Sequence, residues 1–155
     1  MLKYYNYDIV FQEIPDEVTL AVNITNCPNH CPKCHSKFLW KNVGEPFNES
    51  SASAIIENYK NALTCISFMG GDNDPEEVNR MAAWFKKTYP KLKVAWYSGK
   101  QELSAYTQWE NFDYIKVGPY KEECGSLKKK TTNQKLFKKM PDGQIKDITF
   151  RFWKQ

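Results

Sequence analysis

Residues 18–35 read VTLAVNITNCPNHCPKCH, which sets a short apolar strand directly against three closely spaced cysteines. Every second residue from Val18 to Ile24 is apolar, and this period-two pattern predicts a strand with one buried face. The cysteines that follow, at spacing C-x3-C-x2-C, are Cys27, Cys31 and Cys34. Pro28 and Pro32 lie between them and restrict the backbone of the loop. The stretch therefore predicts a strand followed by a loop that carries three thiolates and whose backbone is restricted by two prolines.

Three grouped thiolates indicate a metal or cluster site, because soft sulfur ligands suit zinc and iron–sulfur centres. A structural zinc ion takes four ligands, and His30 or His35 could supply the fourth. His35 is adjacent to Cys34, however, and neighbouring residues rarely both reach one tetrahedral ion without strain. A four-iron cluster held by three thiolates, with one iron open to an external ligand, fits the spacing better.

The length and composition bound the possible classes of protein. The chain has 155 residues, 41% of them apolar, so we expect a single domain over residues 1–155 with a real core. It contains no apolar run of about 20 residues, and we expect no membrane contact. Its first residues lack the apolar region of a signal peptide. An odd number of cysteines, three of them clustered, indicates a reducing compartment, and we expect a cytoplasmic protein.

Predicted strands and helices alternate along the chain. Helices are predicted to start at Asn48 and at Pro75, behind the capping residue Asp74, and a shorter helix is predicted over residues 101–109. Strands are predicted at residues 4–11, 18–24, 64–69, 93–99, 114–118 and 145–153. Residues 125–139 form a basic, polar segment. This order predicts an α/β fold with a parallel sheet.

Four strand ends are expected to meet at one edge of that sheet, where α/β proteins bind their ligands. The cysteine loop follows the strand that ends near Ile24. The other three strands are followed by Gly70-Gly71-Asp72, Ser98-Gly99 and Gly118-Pro119. The sequence therefore predicts one crevice that contains all four segments.

The cysteine spacing, together with Met69-Gly70-Gly71-Asp72, resembles the radical S-adenosylmethionine (SAM) superfamily and its glycine-rich motif. The resemblance implies a partial (β/α) barrel, a mostly parallel curved sheet with helices on the outside. It also implies a [4Fe-4S] cluster whose free iron binds SAM. The implied cluster ligands are Cys27, Cys31 and Cys34, and the implied SAM-binding residues are Lys33, Gly70, Gly71, Asp72, Ser98 and Val117. Lys33 stands where the superfamily often has an aromatic residue, and Asp72 where this family has a glutamate-type acid.

A narrower resemblance is to the activating proteins of anaerobic (class III) ribonucleotide reductase. This resemblance rests on three features of the sequence. They are the chain length, residues 11–15 ahead of the strand that leads into the cysteines, and Gly125-Ser126 together with residues 132–135. It implies a glycyl-radical activase, an oxidoreductase that takes an electron from flavodoxin or ferredoxin. Reductive cleavage of SAM would give a 5′-deoxyadenosyl radical, which removes hydrogen from a glycine of the reductase catalytic subunit. No catalytic side chain beyond the cluster is assigned.

Two other functions remain open on the sequence. One is a small radical SAM enzyme that acts on a free metabolite. The other, which we favour less, is a zinc-bound nucleic-acid-binding module that uses the basic stretch of Lys128, Lys129, Lys130, Lys135, Lys138 and Lys139. That stretch is also compatible with a solvated surface, and we hypothesise that it docks the reductase. Cys65 is expected to be a buried apolar residue, and no role is assigned to Cys124.

Overall fold

The computed structural model describes residues 1–25, 44–103, 105 and 107–153. Two α-helices lie in these residues, α1 (Glu49–Tyr59) and α2 (Pro75–Thr88). The strands there are β1 (Leu2–Val10), β2 (Thr19–Ile24), β3 (Glu45–Phe47), β4 (Cys65–Met69), β5 (Lys93–Tyr97), β6 (Tyr114–Val117), β7 (Lys135–Lys139) and β8 (Ile145–Asp147). Short 3-10 turns cover Trp109–Asn111 and Thr149–Phe152. None of the helices in this described part has the length and apolar character needed to cross a membrane.

The eight strands form one sheet in the order β3-β1-β2-β4-β5-β6-β7-β8. Its centre is parallel, since β2, β4, β5 and β6 run in the same direction. Antiparallel strands flank this centre on both sides. The predicted α/β class is confirmed, while the sheet is mixed rather than mostly parallel.

Local capping signals explain where the two helices begin. Asn48 caps α1 through a reciprocal bond with Ser51, and Asp74 caps α2 by accepting from the backbone N–H of Glu77. Pro75 occupies the first helical position of α2, where its missing N–H costs nothing. Both predicted helix starts are confirmed.

The helices cover one face of the sheet. Their buried residues, among them Ile56 of α1 and Phe85 of α2, form one apolar cluster with Val22, Phe68 and Trp96 of the strands. The opposite face, which we call the inner face, has a smaller cluster around Ile14, Cys65, Ala95, Tyr114 and Leu136. In the described part of the chain, Ile14, Ile148 and Phe152 pack on this inner face, and neither α1 nor α2 contributes a residue to its cluster.

Several elements differ from the sequence prediction. The predicted helix over residues 101–109 is not formed in its described residues, because the backbone N–H of Gln108 bonds to the side chain of Asn79 instead of to a helical carbonyl. The short β3 and the lysine-rich β7 were not predicted. The predicted last strand shortens to β8 and continues as a 3-10 turn.

Candidate functional site

The four parallel strands end at a single edge of the sheet, which we call the carboxyl edge. Ile24, Met69, Tyr97 and Val117 are the last residues of β2, β4, β5 and β6. Because the strands are neighbours, the segments that follow them leave the sheet side by side. The predicted convergence of strand ends is confirmed for every segment that the structure describes.

The predicted cluster ligands Cys27, Cys31 and Cys34, and the predicted SAM contact Lys33, lie outside the described residues, in segment 26–43. The structure does describe the two points at which the chain enters and leaves this segment. Tyr4 of β1 pairs with Ile24 on one side and with Glu45 on the other. Both ends of the cysteine segment are therefore anchored beside one residue of β1, at the carboxyl edge.

Gly44, the residue that follows the segment, is in close contact with β1. Its φ is +104°, and a Cβ there would lie 2.2 Å from the carbonyl oxygen of Tyr4. On the other side, the backbone N–H of Thr25 donates to the carbonyl of Lys3 over 2.9 Å. These contacts fix the exit and entry points of the segment, and only glycine fits at position 44.

The Gly70-Gly71 turn lies against the end of β2. Gly70 has φ +112°, and a Cβ on it would lie 3.2 Å from the carbonyl oxygen of Ile24. Gly71 has φ +101°, and a Cβ on it would lie 2.7 Å from Cγ2 of Val78 in α2. The indole N–H of Trp96 donates to the Gly70 carbonyl over 2.8 Å. The turn thus packs next to the residues that lead into the cysteine segment.

Asp72 connects the ends of β4 and β5. One of its carboxylate oxygens accepts from the hydroxyl of Ser98 over 2.6 Å, and the other accepts from the backbone N–H of Gly99 over 2.8 Å. Ser98 is 2% exposed, and its Oγ also accepts from the backbone N–H of Lys100 over 3.1 Å. The predicted SAM contacts Asp72 and Ser98 are therefore bound to each other.

Lys116 is a site residue that the sequence analysis missed. It is 8% exposed, and its ammonium donates to the carbonyls of Ser98 and Gly118 over 3.0 and 3.1 Å. The same ammonium lies 5.4 Å from the centre of the Tyr97 ring. Gln134 adds a bond to the Gly118 carbonyl over 3.3 Å. The sequence feature that could have indicated it is a lysine inside a predicted strand that is otherwise apolar.

Val117, the last predicted SAM contact, packs in the core between the sheet and the helices and is 5% exposed. Its side chain points away from the inner face on which Lys116 lies. A contact between residue 117 and adenine stays a prediction, and it would have to use the backbone rather than the side chain.

Two cavities open beside these residues. One, of about 270 Å³, lies between Asp72, Ser98 and the first residue of α2. The other, of about 390 Å³, lies on the inner face and is lined by Tyr97, Lys116 and Gln134 among others. Both adjoin the carboxyl edge and are close to the size of sites that hold small molecules.

The donor set tests whether the chain can hold an iron–sulfur cluster. Within the described residues no group of three or more His, Cys, Asp or Glu side chains is placed to hold a metal. Cys65 is fully buried, and desolvation raises the pKa of its thiol, so it is a packing residue. The chemistry of a cluster, which needs several thiolates, therefore fits the three cysteines of segment 26–43.

Comparison with known proteins agrees with this donor set. A family model described as a 4Fe-4S single cluster domain matches residues 17–135, which is more than half of the chain. No curated protein and no solved structure gives a significant match. The matched range includes Cys27, Cys31 and Cys34, as well as the ends of all four parallel strands. The chain belongs to the family of 4Fe-4S single cluster domains.

Proposed function

We propose that this protein is a radical SAM enzyme that activates the catalytic subunit of an anaerobic (class III) ribonucleotide reductase in the cytoplasm. The observation that carries the proposal is the close approach of Gly70 to the end of β2, where a Cβ on residue 70 would lie 3.2 Å from the carbonyl oxygen of Ile24. It puts the glycine-rich turn beside the start of a C-x3-C-x2-C segment, in a chain of the 4Fe-4S single cluster family. The mixed sheet would then be the curved wall of a partial (β/α) barrel.

The cluster would be held by Cys27, Cys31 and Cys34. When bound and reduced by flavodoxin or ferredoxin, it supplies the electron that splits SAM into methionine and a 5′-deoxyadenosyl radical. The chain itself binds SAM, orients it and excludes water. Lys33, which follows Pro32 in the cysteine segment, would contact adenine through its backbone.

The Gly70-Gly71 turn would bind the methionyl end of SAM. Neither residue has a side chain, so a ligand could approach the backbone of the turn closely. The Gly70 N–H, the Gly70 carbonyl and the Gly71 carbonyl are already bonded to Tyr97, Trp96 and Asp74, and these bonds hold the shape of the turn. Asp72 and Ser98 would keep this turn in place, because their bond links it to the end of β5. The cavity of about 270 Å³ beside them offers space for part of the ligand.

Formation of a glycyl radical on the reductase tests the activase proposal. The reconstituted protein, SAM, a reduced flavodoxin and a class III reductase would be mixed without oxygen and examined by electron paramagnetic resonance. We expect a glycyl radical signal with the native chain and none with Cys31→Ala. SAM cleavage without a radical on a competent reductase would instead favour an enzyme that acts on a free metabolite.

A further inference from the structure

Three groups at the ends of β5 and β6 surround the ammonium of Lys116, and we call them the cation cradle. Two are the carbonyl oxygens of Ser98 and Gly118, to which the ammonium donates over 3.0 and 3.1 Å. The third is the ring of Tyr97, whose centre lies 5.4 Å from the ammonium nitrogen. These groups are uncharged, so they offer the cation carbonyl dipoles and an aromatic face.

Two groups of the cradle are fixed by bonds that do not use the Lys116 side chain. The Ser98 hydroxyl donates to Asp72 over 2.6 Å, and the Ser98 N–H donates to the backbone carbonyl of Lys116 over 2.9 Å. The Tyr97 hydroxyl donates to the backbone carbonyl of Glu13, which anchors the ring. We therefore expect both groups to keep their places when the ammonium is removed.

Gly118 completes the cradle in a backbone conformation that favours glycine. Its φ is +105°, and a Cβ there would lie 3.0 Å from Cα of Gln134. Its N–H donates to the carbonyl of Lys100 over 2.7 Å, and its carbonyl also accepts from the side-chain amide of Gln134 over 3.3 Å. Because these contacts set the conformation, the Gly118 carbonyl should also keep its direction without the ammonium.

The cradle borders a cavity through which a small ion could reach it. Tyr97, Lys116 and Gln134 are among the residues that line the inner-face cavity of about 390 Å³. Lys116 is 8% exposed, and its side chain reaches from this cavity to the two carbonyls. Truncation of that side chain at Cβ would therefore join the cradle to the cavity.

We infer that the cradle is a binding site for a monovalent cation, which this chain fills with its own lysine ammonium. Backbone carbonyls replace water around K⁺ in proteins, and aromatic faces attract organic ammonium ions. A lysine ammonium is a compact charge with three N–H donors, so it can take the place of such an ion. The carboxyl edge thus has a positive charge supplied by the chain itself. The inference does not rest on the proposed function.

Chemical rescue of a truncated side chain tests this inference. Lys116→Ala removes the atoms of a propylammonium ion from the cradle. The melting temperature of the reconstituted full chain would be measured in propylammonium chloride and, at equal ionic strength, in tetramethylammonium chloride, whose cation has no N–H donor. We expect propylammonium to raise the melting temperature of Lys116→Ala by about 2–4 °C more than tetramethylammonium does, as for one weakly bound ligand. An equal rise in the two salts would overturn the inference.

Two control variants and an uncharged probe sharpen the comparison. Lys116→Met keeps an uncharged chain in the space that the propyl group needs, and Lys135→Ala removes an exposed lysine from β7. Neither should gain more from propylammonium than the native chain does. 1-Propanol has the same apolar chain as propylammonium but no charge. Equal rescue of Lys116→Ala by 1-propanol would mean that the cradle does not select a cation, and the inference would fail.

Lys116→Gln tests the charge in a second way, because its amide keeps N–H donors without the charge. We expect it to melt below the native chain, and a melting temperature equal to the native one would contradict the need for a cation. If Lys116→Ala does not fold alone, it would be refolded from urea in each salt and followed by circular dichroism. Propylammonium should restore the native spectrum, and failure in both salts would count against the cradle.

The outcomes for the cradle and for the proposed function are separate. A chain that cleaves SAM but shows no cation-specific rescue of Lys116→Ala keeps the proposed function and loses the cradle. A chain that shows the rescue but leaves SAM intact keeps the cradle and loses the proposed function.

Discussion

The hydroxyl of Ser98 donates a hydrogen bond of 2.6 Å to the carboxylate of Asp72, which joins the end of β5 to the turn after β4. The two residues are 26 positions apart, and both were predicted to contact SAM. Their bond gives the carboxyl edge a fixed geometry before any ligand binds.

Asp72→Ala should lower the free energy of unfolding by about 1–3 kcal/mol, because the Ser98 hydroxyl and the Gly99 N–H lose their acceptor in a part-buried site. Chemical denaturation measures the loss. Asp8→Ala, which removes an exposed carboxylate from the middle of β1, is the matched control and should stay within about 0.5 kcal/mol. Equal losses in the two variants would mean that the bond to Ser98 does not stabilise the edge.

Gly71→Ala should destabilise the fold more than Gly143→Ala, although both glycines have positive φ. Alanine at residue 143 has no heavy atom within 4 Å of its Cβ, so it measures the backbone strain alone, about 1–2 kcal/mol. Alanine at residue 71 adds a contact with Val78, which should cost about 1–3 kcal/mol more.

The urea concentrations at the unfolding midpoints of Gly71→Ala and Gly143→Ala test which variant is the less stable. In the Val78→Ala background the extra cost of Gly71→Ala should disappear, since the methyl group that blocks the Cβ is then gone. A Gly71→Ala cost that is unchanged in that background would show that steric contact with α2 is not what requires glycine.

Lys116→Met should lower stability by about 1–3 kcal/mol, because the carbonyls of Ser98 and Gly118 lose a charged donor in a buried site. Lys135→Met, on the exposed side of β7, is the control and should change stability by less than about 0.5 kcal/mol. Unfolding in urea compares the two. If the Lys116→Met protein were as stable as the control, Lys116 would not contribute to the network that joins β5 to β6.

Stability should fall as the pH rises above about 10, the ordinary pKa of tyrosine. Burial, and then the hydrogen bond to Glu17, raise the pKa of the Tyr114 phenol in the folded protein. A hydrogen bond to Glu17 likewise raises the pKa of Lys93. For both groups the folded-state pKa lies above the unfolded one, so their stabilising effect is complete below the unfolded pKa and is lost as the pH rises through the folded one.

Melting temperatures between pH 8 and pH 11, a range set around the tyrosine pKa of about 10, measure this decline. Tyr114→Phe should make the fall of the melting temperature with pH less steep, because the buried phenol that would ionise is gone. Tyr5→Phe, which alters a side chain that is 57% exposed, should leave it unchanged. An identical decline in both variants would exclude Tyr114 as a source of the alkaline instability.

The sequence predicted those elements whose signals are local. Asn48 and Asp74 mark the helix starts through bonds to residues three positions further along the chain. The apolar run of β4 is visible because both of its faces are buried. The order of strands and helices then placed Gly70 and Ser98 at one edge of a sheet, as found.

The remaining features depend on contacts between distant residues. β7 carries lysines at both ends and becomes a strand because it pairs with β6. Lys116 can link β5 to β6 only because the fold brings the carbonyl of Ser98, 18 residues earlier in the chain, within hydrogen-bonding distance of its ammonium. The helix predicted over residues 101–109 is lost because Asn79 of α2 binds the backbone N–H of Gln108. None of these partners can be identified from the local pattern.

Reductive cleavage of SAM tests the central claim most directly. The protein would be reconstituted with iron and sulfide without oxygen, reduced with dithionite in the presence of SAM, and analysed for iron and for 5′-deoxyadenosine. The account predicts about four irons per chain and formation of 5′-deoxyadenosine, both lost in Cys31→Ala and both kept in the control Cys124→Ala. A colourless zinc protein that leaves SAM intact, or cleavage that persists in Cys31→Ala, would contradict it.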